Sequence, residues 1–321
     1  MREQTPPPGD HAFLSPDPYG LKSEPTYSGA LSFMRRPYTR DLAGVDVAVT
    51  GVPLDTATTN RPGARFGPRG VREASTNISW CRPYNWDFHP FDEIAVVDYG
   101  DCYFNFAEPG TIADAITGHF REILAGGAAS LAIGGDHFVS YPILRAYAEK
   151  YGPLSLLHFD AHSDTWDLDV GRLHHGNMFY HAAKEGLVDP ALSVQVGLRT
   201  HNEETHGFHI LDAPWVHAHA PEVTVEAIKG VLEDRPVYFT FDIDCLDPSF
   251  APGTGTPVFG GLTSAQIMTI LRGLAGINLV GMDVVEVAPP YDHAGVTALA
   301  GATIGFEMLA LFAHRRRSMK P

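Results

Sequence analysis

Cysteine is scarce in this chain of 321 residues: there are three, Cys81, Cys102 and Cys245. They are too few and too scattered for a disulfide framework or a zinc ribbon, so buried thiols are expected. Basic residues are also in the minority, with 23 Lys and Arg against 38 Asp and Glu, a formal net charge of −15. A phosphate backbone or an anionic membrane surface is therefore a poor partner and a cation a better one, the alternative being an acidic surface that serves solubility alone. The sequence offers no unbroken apolar run of roughly 18 residues, so a transmembrane helix is not expected. Met1-Arg2-Glu3-Gln4 leads into prolines rather than an apolar stretch. No secretory signal is expected, and a reducing cytoplasm suits the cysteine usage.

What is present is a globular composition, 44% hydrophobic and 19% charged, enough to build one large α/β domain or two medium ones. Residues 1–40 are rich in Pro, Ser and Gly and read as an N-terminal arm, leaving 41–321 as the main domain. Apolar runs of strand length follow at Val45–Val52, Ile94–Tyr99, Ala129–Ile133, Leu154–Phe159, Ser193–Leu198, Val237–Ile243 and Asn278–Val287. Amphipathic segments alternate with them: Pro68–Asn77, Ile112–Ala125, Tyr141–Tyr151, Asn177–Glu185, Val223–Leu232, Ser264–Leu274 and Thr297–Arg315. This alternation, without a linker or repeat, argues for one doubly wound, mostly parallel sheet. In such a sheet ligands bind beyond the carboxyl ends of the strands.

Those ends carry one kind of chemistry. Gly134-Gly135-Asp136-His137 closes the third strand; taken alone it reads as a helix cap with a surface histidine. The fourth run ends in Asp160-Ala161-His162-Ser163-Asp164, where strand alternation would put Asp160, His162 and Asp164 on one face. Such a group repels itself unless a cation holds it, the alternative being a solvated acidic loop. Asp242 and Asp244 form a second pair after a buried strand, and Glu286 stands near the end of the last one. Two histidines and four aspartates suit a pair of hard divalent ions better than a structural zinc, and manganese is the best single assignment. Two such ions can share a water and lower its pKa.

The strings 134–137, 160–164 and Phe-Asp-Ile-Asp-Cys-Leu-Asp-Pro with Ala-Pro-Gly-Thr-Gly-Thr-Pro (241–257) resemble the signatures of the ureohydrolases, the arginase and agmatinase family. The resemblance runs from about Phe33 to the C-terminus and takes in Arg61–Pro68 and Gly260–Thr263. It implies a three-layer α/β/α sandwich around an eight-stranded, mostly parallel sheet, and two manganese ions held by His137, Asp160, His162, Asp164, Asp242 and Asp244. Asp164 would also handle the proton of the bridging hydroxide. His175 would protonate the leaving amine, and Glu286 would grip the guanidinium. The implied partners are a small guanidino substrate and further copies of the chain, as a homotrimer or homohexamer, with neither nucleic acid nor membrane.

Arginases carry an asparagine where this chain has Trp166, and an indole cannot make the same contacts to an amino-acid head. The strings around His158, Met178, Lys184 and Gly281 are most similar to bacterial agmatinases, which implies hydrolysis of agmatine to putrescine and urea. Guanidinobutyrate, guanidinopropionate, formiminoglutamate and free guanidine are alternative substrates, and a non-catalytic relative is the remote one. His174, Asn177 and a loop one residue longer between Trp166 and His174 depart from the agmatinase pattern. His201, His206, His209, His217 and His219 read as loop or surface residues, and Cys245 as a core residue.

Overall fold

The computed structural model describes residues 27–167 and 173–319. Eight strands form one sheet in which every pairing is parallel: β1 (Val47–Val52), β2 (Val96–Asp101), β3 (Ala129–Gly134), β4 (Ser155–Phe159), β5 (Val194–Val196), β6 (His209–Leu211), β7 (Val237–Asp242) and β8 (Leu279–Val285). Their order is β2-β1-β3-β8-β7-β4-β5-β6. The helices are α1 (Gly67–Ser75), α2 (Pro90–Glu93), α3 (Ile112–Ala125), α4 (Ser140–Tyr151), α5 (Met178–Lys184), α6 (Ala213–Ala218), α7 (Pro221–Leu232), α8 (Ser264–Gly273) and α9 (Val296–Ser318).

Strand alternation divides the core into two layers. Val47 and Val49 of β1 and Val237, Phe239 and Phe241 of β7 pack with α1, α2 and α6 to α9. Ala48 and Tyr238 point the other way, against α3, α4 and α5. Both faces are covered, which is why the central strands are almost continuously apolar and show no solvent face.

Seven of the eight strands stand where the apolar runs predict them. β6 was missed because it is three residues long, at the sheet edge and only partly buried, too short to show alternation. α2 and α6, of four and six residues, were missed for the same reason. α9 corrects the reading of apolar runs. By length and composition it could cross a membrane, but 72% of its most apolar stretch is buried inside the protein. Its Glu307, also buried, receives hydrogen bonds from Trp86 Nε1 at 2.7 Å and Arg272 Nη2 at 2.9 Å.

Of the segment expected as an arm, residues 1–26 lie outside the described residues. Phe33 and Met34 are fully buried, and the Phe33 N–H donates to Asp98 at 2.7 Å. The same carboxylate takes a bidentate pair of hydrogen bonds from Arg72 of α1, at 2.8 and 2.9 Å. Of the cysteines, Cys102 and Cys245 are buried as expected, whereas Cys81 is only half-buried.

Candidate metal centre

The four central strands, β3, β8, β7 and β4, are adjacent, and their carboxyl ends bring the expected residues to one place. Strand alternation is not what does it. β4 stops at Phe159, and Asp164 reaches the cluster through a turn with a left-handed backbone, φ 51°. Asp242 ends β7, but Asp244 lies in a 3₁₀ turn, Ile243–Cys245. β8 ends at Val285, and Glu286 also has a left-handed backbone, φ 61°. Non-glycine residues held there cost about 1–3 kcal/mol each, which surrounding contacts must offset.

After β3 the chain makes a close approach that only glycine permits: a Cβ on Gly135 would lie 1.6 Å from the Leu54 carbonyl oxygen. Asp136 does not cap the turn that follows. It is buried, and its Oδ2 accepts the Ala57 N–H at 2.8 Å. His137 is also fully buried, which corrects the reading of this motif as a cap with a surface histidine.

The His137 ring shows what the site is built to hold. Its Nε2 lies 2.8 Å from the Thr240 hydroxyl, which donates to Asp283 at 2.5 Å and so can only accept from His137. The other nitrogen, Nδ1, is left facing Asp160 and Asp164 at 3.0 Å and Asp242 at 3.3 Å, with no hydrogen bond in line. A lone pair aimed at three carboxylates is repulsive unless a cation stands between them. On the far side of Asp160, His162 Nδ1 lies 3.3 Å from Asp160 Oδ1 and 3.1 Å from Asp244 Oδ2. His137, His158, Asp160 and Asp164 form one group of converging donor atoms, and Asp160, His162 and Asp244 a second, so Asp160 belongs to both.

Without metal, protons must do the neutralising. Burial works against a charged His162, but Asp244 and Asp160 outweigh it and push its pKa up to about 12. His137 moves up too, burial again being outweighed by its three aspartates. Burial, reinforced by Asp244 and Asp160, pushes Asp242 well above the usual carboxylate range. A pair of divalent ions would replace those protons and satisfy four carboxylates at once, so the donor set fits the expected group.

Above the cluster lies a cavity of about 280 Å³, lined by Asp164, Asp242, His162, Thr59, His175 and Trp166 together with His174, Gly176 and Thr256. His175 Nδ1 is 2.9 Å from Glu286 Oε1, the oxygen that also accepts the His137 backbone N–H at 2.9 Å. Burial would lower the His175 pKa, but Glu286 outweighs it and raises it to about 9. Glu286 Oε2 is buried, and among the described residues it has no hydrogen-bond partner. Glu286 itself is only 1% exposed and is not among the cavity-lining residues.

Four residues were missed in the sequence. Thr59 presents both its N–H, at 2.9 Å, and its hydroxyl, at 2.8 Å, to His175 Nε2. No local pattern marks it, because it comes from the loop after β1. Thr240 on β7 and His158 on β4 stand two residues before Asp242 and Asp160, a spacing that would have revealed them, and Gln195 contacts His158 from β5. The departures His174 and Asn177 face one another: Asn177 Oδ1 accepts the His174 N–H at 2.9 Å, across the turn that carries His175. The middle of the lengthened loop, 168–172, lies outside the described residues. His201, His209, His217 and His219 are exposed and His206 is partly exposed, and none of them is in either group of converging donor atoms.

A buried cluster of carboxylates and imidazoles at the carboxyl rim of an all-parallel sheet is the kind of site that can hold metal ions for hydrolysis. The arginase family profile matches residues 45–310, more than half the chain, and the chain belongs to that family. It is an enzyme, a hydrolase of the ureohydrolase type. Over 310 residues it is 57% identical to a protein of Chromobacterium violaceum named agmatinase, covering 96% of each chain. It superimposes with a TM-score of 0.95 on the crystal structure of a hypothetical agmatinase from Burkholderia thailandensis, 56% identical, covering 97% of this chain and 99% of that one. Proclavaminate amidino hydrolase from Streptomyces clavuligerus gives a TM-score of 0.85 at 39% identity, over 91% of this chain and all of that one.

Proposed function

We propose that this chain is a manganese-dependent amidinohydrolase that converts agmatine and water to putrescine and urea. One observation carries the reading: two donor groups sharing Asp160 lie under a small cavity whose wall holds His175, itself hydrogen-bonded to Glu286. His137, Asp160, His162, Asp164, Asp242 and Asp244 would hold two manganese ions. Bound there, the ions would supply the nucleophile by lowering the pKa of water.

The remaining work falls to the protein. A guanidinium is planar, cationic and a poor electrophile, so it must be held in a fixed orientation. Glu286 Oε2, which has no hydrogen-bond partner among the described residues, would take the N–H groups of the guanidinium. Asp164 would take the proton of the attacking group. His175 would deliver a proton to the departing amine, and Thr59 can serve the ring in either protonation state. Its hydroxyl accepts from an Nε2–H, and its amide N–H donates to a bare Nε2. Trp166 walls the outer cavity with an indole, which cannot make the contacts an asparagine makes to an amino-acid head, and this disfavours arginine.

We assign residues 41–321 as the catalytic domain and 1–40 as an arm, and the assembly as a homotrimer or homohexamer in the cytoplasm. Urea release from agmatine, guanidinobutyrate, guanidinopropionate and arginine, measured on manganese-loaded protein, tests the reading. Turnover of agmatine well above the others is expected. Turnover of arginine alone would overturn the substrate and keep the chemistry, whereas inertness on all four would favour a non-catalytic relative.

A further inference from the structure

Beneath the ligand cluster, parallel register lines up four fully buried polar side chains across adjacent strands: Gln195 pairs with His158, His158 with Thr240, and Thr240 with Asp283. Four polar residues in a row at the centre of a sheet are costly unless each is satisfied. One end of the row is accounted for, since Thr240 and Asp283 fix which nitrogen of His137 faces the ligands. The other end is built in the same way. Gln195 Nε2 lies 2.6 Å from the Ser163 carbonyl oxygen, which admits only the amide NH₂ at that position. The same NH₂ is 2.9 Å from His158 Nδ1, so Nδ1 must accept and the proton sits on Nε2. Nε2 in turn lies 2.7 Å from Asp160 Oδ2.

We propose that Gln195 and His158 form a positioning pair that holds Asp160 as the carboxylate shared by the two metal positions. His158 is a donor to that carboxylate and not itself a ligand, although its nitrogen lies close enough to be counted with the donor atoms. The inference rests on the metal-centre reading above. With Oδ2 fixed by His158 and Oδ1 by the His162 N–H at 2.7 Å, the two oxygens are held toward opposite groups. Outer partners of this kind orient metal-binding groups, and their loss typically weakens metal affinity 10–100-fold.

The test uses the full chain, stripped of metal and reloaded with Mn²⁺, with stoichiometry and affinity read by chelator competition and by electron paramagnetic resonance. His158→Phe keeps the ring volume and removes the donor; Mn²⁺ affinity should fall about 10–100-fold. His158→Gln places an amide NH₂ near the same point and should recover most of that loss. Gln195→Leu, which frees the ring to place its proton on Nδ1, should lose affinity in the same direction but less. Melting of the metal-free proteins checks that each variant folds; if His158→Phe does not, the contrast of His158→Gln with Gln195→Leu decides. Wild-type affinity in His158→Phe, or in both remaining variants, overturns the pair. Loss of one full equivalent of metal in both His158 variants makes His158 a ligand, which also overturns it. A wild-type chain that takes up no Mn²⁺ overturns the metal reading as well.

Discussion

His175 and Glu286 are joined through a single carboxylate oxygen, Oε1, which lies 2.9 Å from the His175 ring nitrogen and accepts the His137 backbone N–H at the same distance. The glutamate is thereby fixed by a candidate ligand on one side and by a candidate proton donor on the other. Its second oxygen has no hydrogen-bond partner among the described residues. A carboxylate in that position can serve substrate without giving up the contacts that hold it, which is how preorganised charge is effective.

Glu286→Gln should therefore keep its metal and lose turnover, about 100-fold or more in kcat/KM for agmatine. Metal content by elemental analysis and urea release on the same sample separate the two effects. Metal loss in step with activity would place Glu286 in the ligand set.

Asp244→Asn should behave differently. Asp244 Oδ2 faces His162, and its other oxygen accepts the Ala161 N–H at 3.1 Å, so the carboxylate spans a ligand and the turn that presents it. Removing its charge should weaken metal binding by more than about 100-fold, beyond the usual outer-partner effect, with activity lost in parallel. Full metal occupancy in this variant would remove Asp244 from the site.

The parts of this site that were legible in the sequence are those packed into short strings at strand ends. His137, Asp160, His162, Asp164, Asp242, Asp244 and Glu286 all sit within a few residues of a long apolar run, so topology alone brings them to one rim. The local geometry was not legible: Asp164 and Glu286 converge through left-handed backbone, which no alternation rule predicts for an acidic residue. Thr59 was hidden because its partner, His175, is 116 residues away. Among the elements, β6 and α6 escaped because periodicity needs more residues than they contain.

Trp166 lines the cavity, and its backbone N–H donates to the Gly176 carbonyl at 3.1 Å, which ties it to the turn bearing His175. Trp166→Asn restores the residue type that arginases carry at this position. The preference for agmatine over arginine, as a ratio of kcat/KM values, should fall about 10-fold or more. An unchanged ratio would move substrate selection to His174 or to another part of the wall.

The His175–Glu286 pair also makes a pH-dependent contribution to stability in the metal-free protein. The folded pKa, about 9, lies above the unfolded value of about 6.5. The stabilisation is thus fully present below about pH 6.5 and is lost as pH rises through about 9, with an upper bound of about 3 kcal/mol. Melting curves of the wild type and Glu286→Gln should differ most at acidic pH and converge toward pH 10. A gap independent of pH would show that the pair is not ionic.

Metal uptake should release protons. Without metal, His162 holds a proton up to about pH 12 and His137 is shifted the same way, both because aspartates outweigh burial. An ion at either imidazole must displace that proton, so Mn²⁺ affinity should rise about tenfold per pH unit for each proton displaced. Calorimetric titrations of the metal-free protein at pH 7.5, run in two buffers of different ionisation enthalpy, count the protons directly. At least two released per chain are expected, one each from His162 and His137, with Asp242, also shifted upward, able to add another. A count of zero would mean that neither imidazole is protonated before the ion arrives, and that the aspartates alone meet it.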